Sequence, residues 1–287
     1  MRSIKAVLSM MFFLGLAAPI YAWYSSPLTP NEIGLEQHPG FGVFDTSYAT
    51  IYFQDGVSSQ RVAEIESAFE VAHAVVVVDL ANPDVRPRIY AYRSLDDLSN
   101  DLVDYWGYPE WIRTFRAIPR MNAVYEMWVP PDTWAEFIGH EYTHRIIEQI
   151  AGLNSQVNYK WFDEGLAMEE GLRTLAVISP GEAASQRVYY RNATKEAYWS
   201  GTYIPLSNLT TDAQWVYWMQ GPYVQYIYSQ AAAIMEYLAN QSGMGAAKLV
   251  LLQIGQGNPF PIAFETACGK TIDQFESEFL TGLSLGP

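Results

Sequence analysis

Two of the chain's four histidines, His140 and His144, stand four residues apart in the stretch HEYTH, with Glu141 directly after the first. In a helix of 3.6 residues per turn, this spacing sets the imidazoles about 40° apart around the axis and one turn apart along it. Both can then reach one ion at about 2.0 to 2.1 Å. Glu141 projects to the side of that face, where a carboxylate can take a proton from an activated water without becoming a ligand. Two histidines on a polar helix face also arise without any metal, so the reading needs a third ligand. WFDEGLA, Trp161 to Ala167, offers one in Glu164, with nineteen residues lying between it and His144.

The elements that must position these groups have readable boundaries. Thr133-Trp134-Ala135-Glu136 fits a capping box, in which the Thr133 hydroxyl accepts from the Glu136 amide and the Glu136 carboxylate reaches back to the Thr133 amide. Gly152 is placed to end that helix. A turn from Gly152 to Asn158 lets a second helix, over about 160 to 175, return antiparallel and aim Glu164 at the same ion. Before residue 130 or so, short extended runs (Ala49 to Phe53, Arg88 to Tyr92, Asn122 to Val129) alternate with helical patterns at about 58 to 73 and 94 to 106, each opened by a capping serine. Beyond it the pattern is nearly all helical, with gaps at Ser179-Pro180-Gly181 and through a polar, aromatic-rich loop expected from about 178 to 221. Pro222 fits the first turn of a helix over about 222 to 240, and Gly269 with Thr271 fits a stop followed by a new cap. The expected fold is therefore α+β. A small mixed sheet with helices occupies an N-terminal lobe over 23–131, and a mainly helical lobe over 132–287 carries the chemistry, as one catalytic unit.

Composition narrows the function. With 287 residues, 49% of them hydrophobic and 15% aromatic, the chain can bury a sizeable core. A formal net charge of −14 leaves no basic stripe to displace counterions, which argues against nucleic acid as a partner. Arg2 and Lys5, the apolar run Ala6 to Ile20, and Ala22 at a cleavage position read as a signal peptide over residues 1–22. The expectation is export to the periplasm or the extracellular space. The run is shorter than the roughly 20 residues of a spanning helix, so no stable membrane insertion is expected after cleavage. Cys268 is the only cysteine, so no internal disulfide supports the exported chain. Its apolar surroundings, just before Gly269, suit a buried structural thiol.

HEYTH followed by WFDEGLA resembles the gluzincin metallopeptidases, and among them most the aminopeptidase N type, whose second motif reads W-x-x-E-G-x-A. The resemblance implies a thermolysin-like catalytic domain holding one Zn2+ per chain on His140, His144 and Glu164, with Glu141 as general base and a peptide or protein as substrate. In that type a helix with the pattern Y-x-K-G, some sixty-odd residues beyond the glutamate ligand, supplies a tyrosine to the oxyanion. The stretch YSQAAAIMEYL opens at Tyr228 with matching spacing, although Gln230 and Ala231 replace the lysine and glycine, and Tyr223 and Tyr226 are neighbours able to compete. The carboxy-terminal stretch over about 222 to 283 is also similar to small secreted bacterial proteins of this clan.

The chain departs from the pattern at several points. One residue more than usual separates the two motifs. Met168 stands where thermolysin has an aspartate that orients a histidine, so support for the ligands must come from elsewhere. The amino-terminus-binding motif GxMEN has only an echo in NAVYEMW, and its Glu126 also suits an edge-strand surface. The strand Asn122 to Val129 is the candidate for holding a substrate backbone by strand addition. Two rivals stay open beside the peptidase: a zinc-containing binding protein without turnover, and a metal-dependent hydrolase of a non-peptide bond. An intact Glu141 favours chemistry, since a purely zinc-holding site has no use for that carboxylate.

Overall fold

A computed structural model of the chain describes residues 40–80, 86–105, 117–120, 123–126, 134–152, 159–219 and 223–285. Residues 1–22, read as a signal peptide, Thr133, expected as a cap, the turn expected over 153–158, Pro222 and both ends of the strand expected over 122–129 lie outside the described residues.

The N-terminal part builds a mixed five-stranded sheet of order β1-β2-β3-β5-β4. Strand β1 (Phe41–Asp45) pairs antiparallel with β2 (Thr50–Gln54). Their turn is closed by Thr46, whose hydroxyl oxygen accepts from the Ala49 amide at 2.9 Å and donates to the Ala49 carbonyl at 3.0 Å. Helix α1 (Ser59–Leu80) then crosses over to β3 (Arg88–Ala91), parallel to β2 with Ile51 opposite Ile89. The Arg61 amide donates to the Ser58 hydroxyl, and Ser94 caps α2 (Leu95–Asp104) by accepting from the Asp97 amide. Both serines therefore act as their positions suggested.

Strand β5 (Ala123–Glu126) lies between β3, to which it is parallel, and β4 (Ala117–Arg120), to which it is antiparallel. This corrects the expectation for the 122–129 strand. Its described part is an inner strand, Glu126 is not on an edge, and the outermost of the described strands are β1 and β4. Pro119 in β4 suits an edge, because proline has no amide to give to a further strand.

Helix α1 places Val62, Ile65, Phe69, Ala72, Val76 and Leu80 on one buried face, the three-and-four spacing of an amphipathic helix. That face joins the sheet to the two helices that follow. These are α3 (Trp134–Ala151) and α4 (Lys160–Ile178), an antiparallel pair. Gly152, at φ +91°, ends α3 in a conformation that favours glycine. The pair packs backbone on backbone. A Cβ at Gly171 would lie 2.6 Å from the Glu136 carbonyl oxygen, and one at Gly139 would lie 3.1 Å from the Gly171 Cα.

The loop expected over 178–221 is largely helical. Pro180 opens α5 (Pro180–Ser200), where its missing amide costs nothing, and Gly201 closes it in the left-handed conformation. Ala183, Tyr190, Ala193, Thr194 and Ala197 line its buried side. Arg187 ties it to α4 through two bonds to Glu169, at 2.5 and 2.8 Å. A short 3-10 turn (Leu206–Asn208) and α6 (Asp212–Met219) complete the segment.

Helix α7 (Val224–Ser242) crosses α4, and α8 (Met244–Gly255), α9 (Phe260–Cys268) and α10 (Ile272–Leu285) close the lobe. Gly269 ends α9 at φ +70°. Thr271 and Gln274 then form a reciprocal cap, each amide donating to the other's side-chain oxygen, at 3.0 and 3.2 Å. Cys268 is half-buried, and burial pushes its thiol up to about 11, which disfavours the thiolate. Among the described residues no helix is long and apolar enough to cross a membrane.

Candidate metal centre

The hairpin of α3 and α4 brings His140, His144 and Glu164 together, with one ligand atom from each inside 4.8 Å of the others. The two imidazole Nε2 atoms lie 3.1 Å apart, and Glu164 Oε2 is 3.5 Å from that of His140 and 3.7 Å from that of His144. Three donors bonded at about 2.0 to 2.1 Å to one tetrahedral ion stand about 3.3 Å from each other, so these separations fit such an ion. The Glu164 Oε2 atom is buried with no hydrogen-bond partner of its own. A buried carboxylate oxygen left so is costly, and a cation between the three donors would satisfy it.

The support that Met168 does not give comes from Asp163, a residue the sequence reading passed over. Its Oδ1 lies 3.0 Å from His144 Nδ1, in a fully buried position. A carboxylate on the Nδ1 side directs the opposite nitrogen, Nε2, towards the other two donors, and a metal bound there would displace any proton it carries. A carboxylate directly before the glutamate in WFDEGLA was the available signal.

Lys160, in the first turn of α4, reaches both acids. Its Nζ is 2.9 Å from Asp163 Oδ2 and 2.7 Å from Glu164 Oε1. Asp212, at the start of α6, is 3.9 Å away. Burial alone would raise the carboxyls of Glu164 and Asp163, but Lys160 and the histidines outweigh it and hold both below the usual range. Burial also disfavours the charge on His144. Asp163 and Glu164 overcome that and bring it up to about 9. The centre is thus built as a charged cluster whose acids are ready to hold a cation.

Glu141 is buried on α3 beside the cluster, and its Oε2 has no partner. Burial pushes its carboxyl up, against the opposing pull of the histidines. A carboxyl so raised suits a group that must take a proton and give it back near neutrality.

Tyr228 sits on the face of α7 turned to α4. It packs against the cluster containing Met168, one turn beyond Glu164, and its ring meets Trp215 edge-on at 5.2 Å. The crossing is set by Gly165, where a Cβ would come within 2.8 Å of the Ala231 carbonyl oxygen. The small residue this close approach requires is Gly165 itself, since position 231 meets it with a backbone oxygen. Gln230 is fully buried for a separate reason: its side chain donates to the Ile204 carbonyl at 2.6 Å and accepts from the Ile204 amide. Tyr223 precedes α7 with its ring 5.4 Å from Trp218, and Tyr226 is the adjoining alternative.

No family model and no curated protein matches the chain. Among solved structures, native yeast LTA4 hydrolase is similar at a TM-score of 0.51 and 12% identity, over 85% of this chain and 37% of that one. Yeast LTA4 hydrolase in complex with Bestatin is similar at a TM-score of 0.46 and 10% identity, over 84% of this chain and 36% of that one. This chain thus spans a little over a third of the length of that enzyme. The likeness to the native form is one of fold, an α+β unit.

Proposed function

We propose that the chain is a zinc-dependent peptidase of gluzincin type, hydrolysing peptide bonds with a metal-activated water. The observation that carries this reading is the meeting of His140, His144 and Glu164 at tetrahedral separations, with Glu141 buried beside them and its Oε2 without a hydrogen-bond partner. Two nitrogens and one carboxylate oxygen are a donor set that zinc prefers in catalytic sites, where a fourth position stays open. The similarity of fold to a protein named a hydrolase agrees with it. The thermolysin-like arrangement and export to the periplasm or beyond belong to the same proposal.

Zinc, when bound, supplies a Lewis acid that polarises the scissile carbonyl and lowers the pKa of a coordinated water towards about 7. The chain's own groups do the rest. Glu141 accepts the proton of the attacking water and passes it to the leaving amine. Tyr228 donates to the oxygen on which negative charge develops. Asp163 keeps the His144 ring oriented throughout. The edge strand β4, which packs beside α3, is the part of the sheet able to pair with an extended substrate backbone.

The test is Glu141→Gln, which keeps the shape of the side chain and removes the base. Zinc content should remain near that of the unaltered protein while cleavage of a diverse peptide library falls by several orders of magnitude. A wild-type protein that holds zinc and cleaves no peptide would favour the binding-protein or non-peptide alternative.

A further inference from the structure

Lys160 stands in a place that ordinary stability does not explain. It is only 8% exposed and lies in the first turn of α4, the end of a helix where a cation is disfavoured by the backbone dipole. Buried ion pairs are often matched or bettered by apolar packing, so folding alone gives little reason for an ammonium here. Its backbone is nonetheless pinned: the Lys160 and Trp161 amides donate to the Thr210 and Leu209 carbonyls at 2.8 and 2.9 Å. The side chain then divides the Glu164 carboxylate. Oε1 is held by Nζ at 2.7 Å, and Oε2 is turned to the two imidazoles.

We propose that Lys160 is a positioning residue that keeps Glu164 a one-oxygen ligand and so keeps a coordination position free for water and substrate. The role rests on the zinc-peptidase reading. A carboxylate with both oxygens free can close on an ion with the pair and fill the place the reaction needs. The ammonium prevents this by occupying one oxygen. It also grips Asp163 at 2.9 Å, so one side chain sets the orientation of Glu164 directly and of His144 through its partner. Lys160 and a metal ion share one carboxylate, and two cations within about 5 Å repel. The ammonium therefore weakens metal binding in exchange for an open site.

The experiment combines the crystal structure of the zinc-loaded wild type with chelator-competition affinities for Lys160→Met and Lys160→Arg. In the wild type Glu164 should bind through one oxygen, with Lys160 on the other. Lys160→Met should bind zinc more tightly, on the order of tenfold, with Glu164 closing on the ion through both oxygens and hydrolysis reduced. Lys160→Arg keeps the charge and the reach and should behave as the wild type. A lysine needed only for folding would change the stability of both forms alike and leave zinc affinity unmoved, which would overturn the role. Two-oxygen binding by Glu164 in the wild type overturns it directly, even if Lys160→Met does not fold. A wild type that takes up no zinc overturns the zinc-peptidase reading and this role together.

Discussion

Asp163 and His144 face each other across the hairpin, Oδ1 to Nδ1 at 3.0 Å, so the residue just before one proposed ligand holds the far side of another. The register of α4 against α3 thereby serves two contacts at once: Glu164 and Asp163 approach opposite nitrogens of a single ring.

Removing the Asp163 carboxylate frees the ring and its tautomer. Asp163→Ala should lower zinc affinity by about 10- to 100-fold, the range found when partners of ligating histidines are lost. Chelator competition measures this. Unchanged affinity would mean that the packing around His144 suffices to orient it.

For Tyr228 the informative change is Tyr228→Phe, which keeps the ring against Trp215 and Met168 and removes the donor. Peptide hydrolysis should fall about 10² to 10³ in kcat with KM roughly constant. Full activity would move the role to Tyr223 or Tyr226.

Gly165 allows no side chain at the crossing of α4 and α7. Gly165→Ala puts a Cβ 2.8 Å from a backbone oxygen that cannot swing aside, and should cost about 1 to 3 kcal/mol of stability. Urea denaturation of the metal-free protein is the measurement. A midpoint equal to that of the wild type would show that the helices part freely.

Glu170 provides a pH dependence away from the metal. It is fully buried on α4, and burial, helped by the Asp79 carboxylate, holds its carboxyl well above the usual range. The folded state then keeps a proton that the unfolded chain has lost above about pH 4.3. Its contribution is fully present below that pH and is lost as pH rises towards the folded value. Glu170→Gln should therefore add more stability at pH 8 than at pH 4, by chemical denaturation at each pH. The same gain at both would assign the effect to packing.

The local parts of this architecture were legible in the sequence. His140, His144 and the two capping serines work through neighbours within a turn or two, so residue type and spacing suffice. Glu164 was reachable because the hairpin that returns it is short. Asp163 was overlooked, although it lies in the same motif, because its partner is fixed by how two helices cross and not by spacing along one. Helix α5 was read as loop since Ser179-Pro180-Gly181 looks like a break, whereas proline in a first turn also starts a helix. Strand order escaped as well: nothing within 123–126 tells which strand lies on either side. Gln230, read as a departure from a motif, gained its meaning only when the chain near Ile204 came beside it.

The proposed ligands all belong to one helical hairpin, while β4, the outer one of the described strands that packs beside it, belongs to the sheet. On the proposed reading, metal and substrate are entrusted to different parts of the chain. A shift of the sheet against the hairpin would widen or narrow the space for a peptide without disturbing any bond to the ion. Under the proposed function, changes in the sheet would alter which substrates enter while the hydrolytic chemistry stayed as it was, so that the two properties could diverge separately in descendants of this chain.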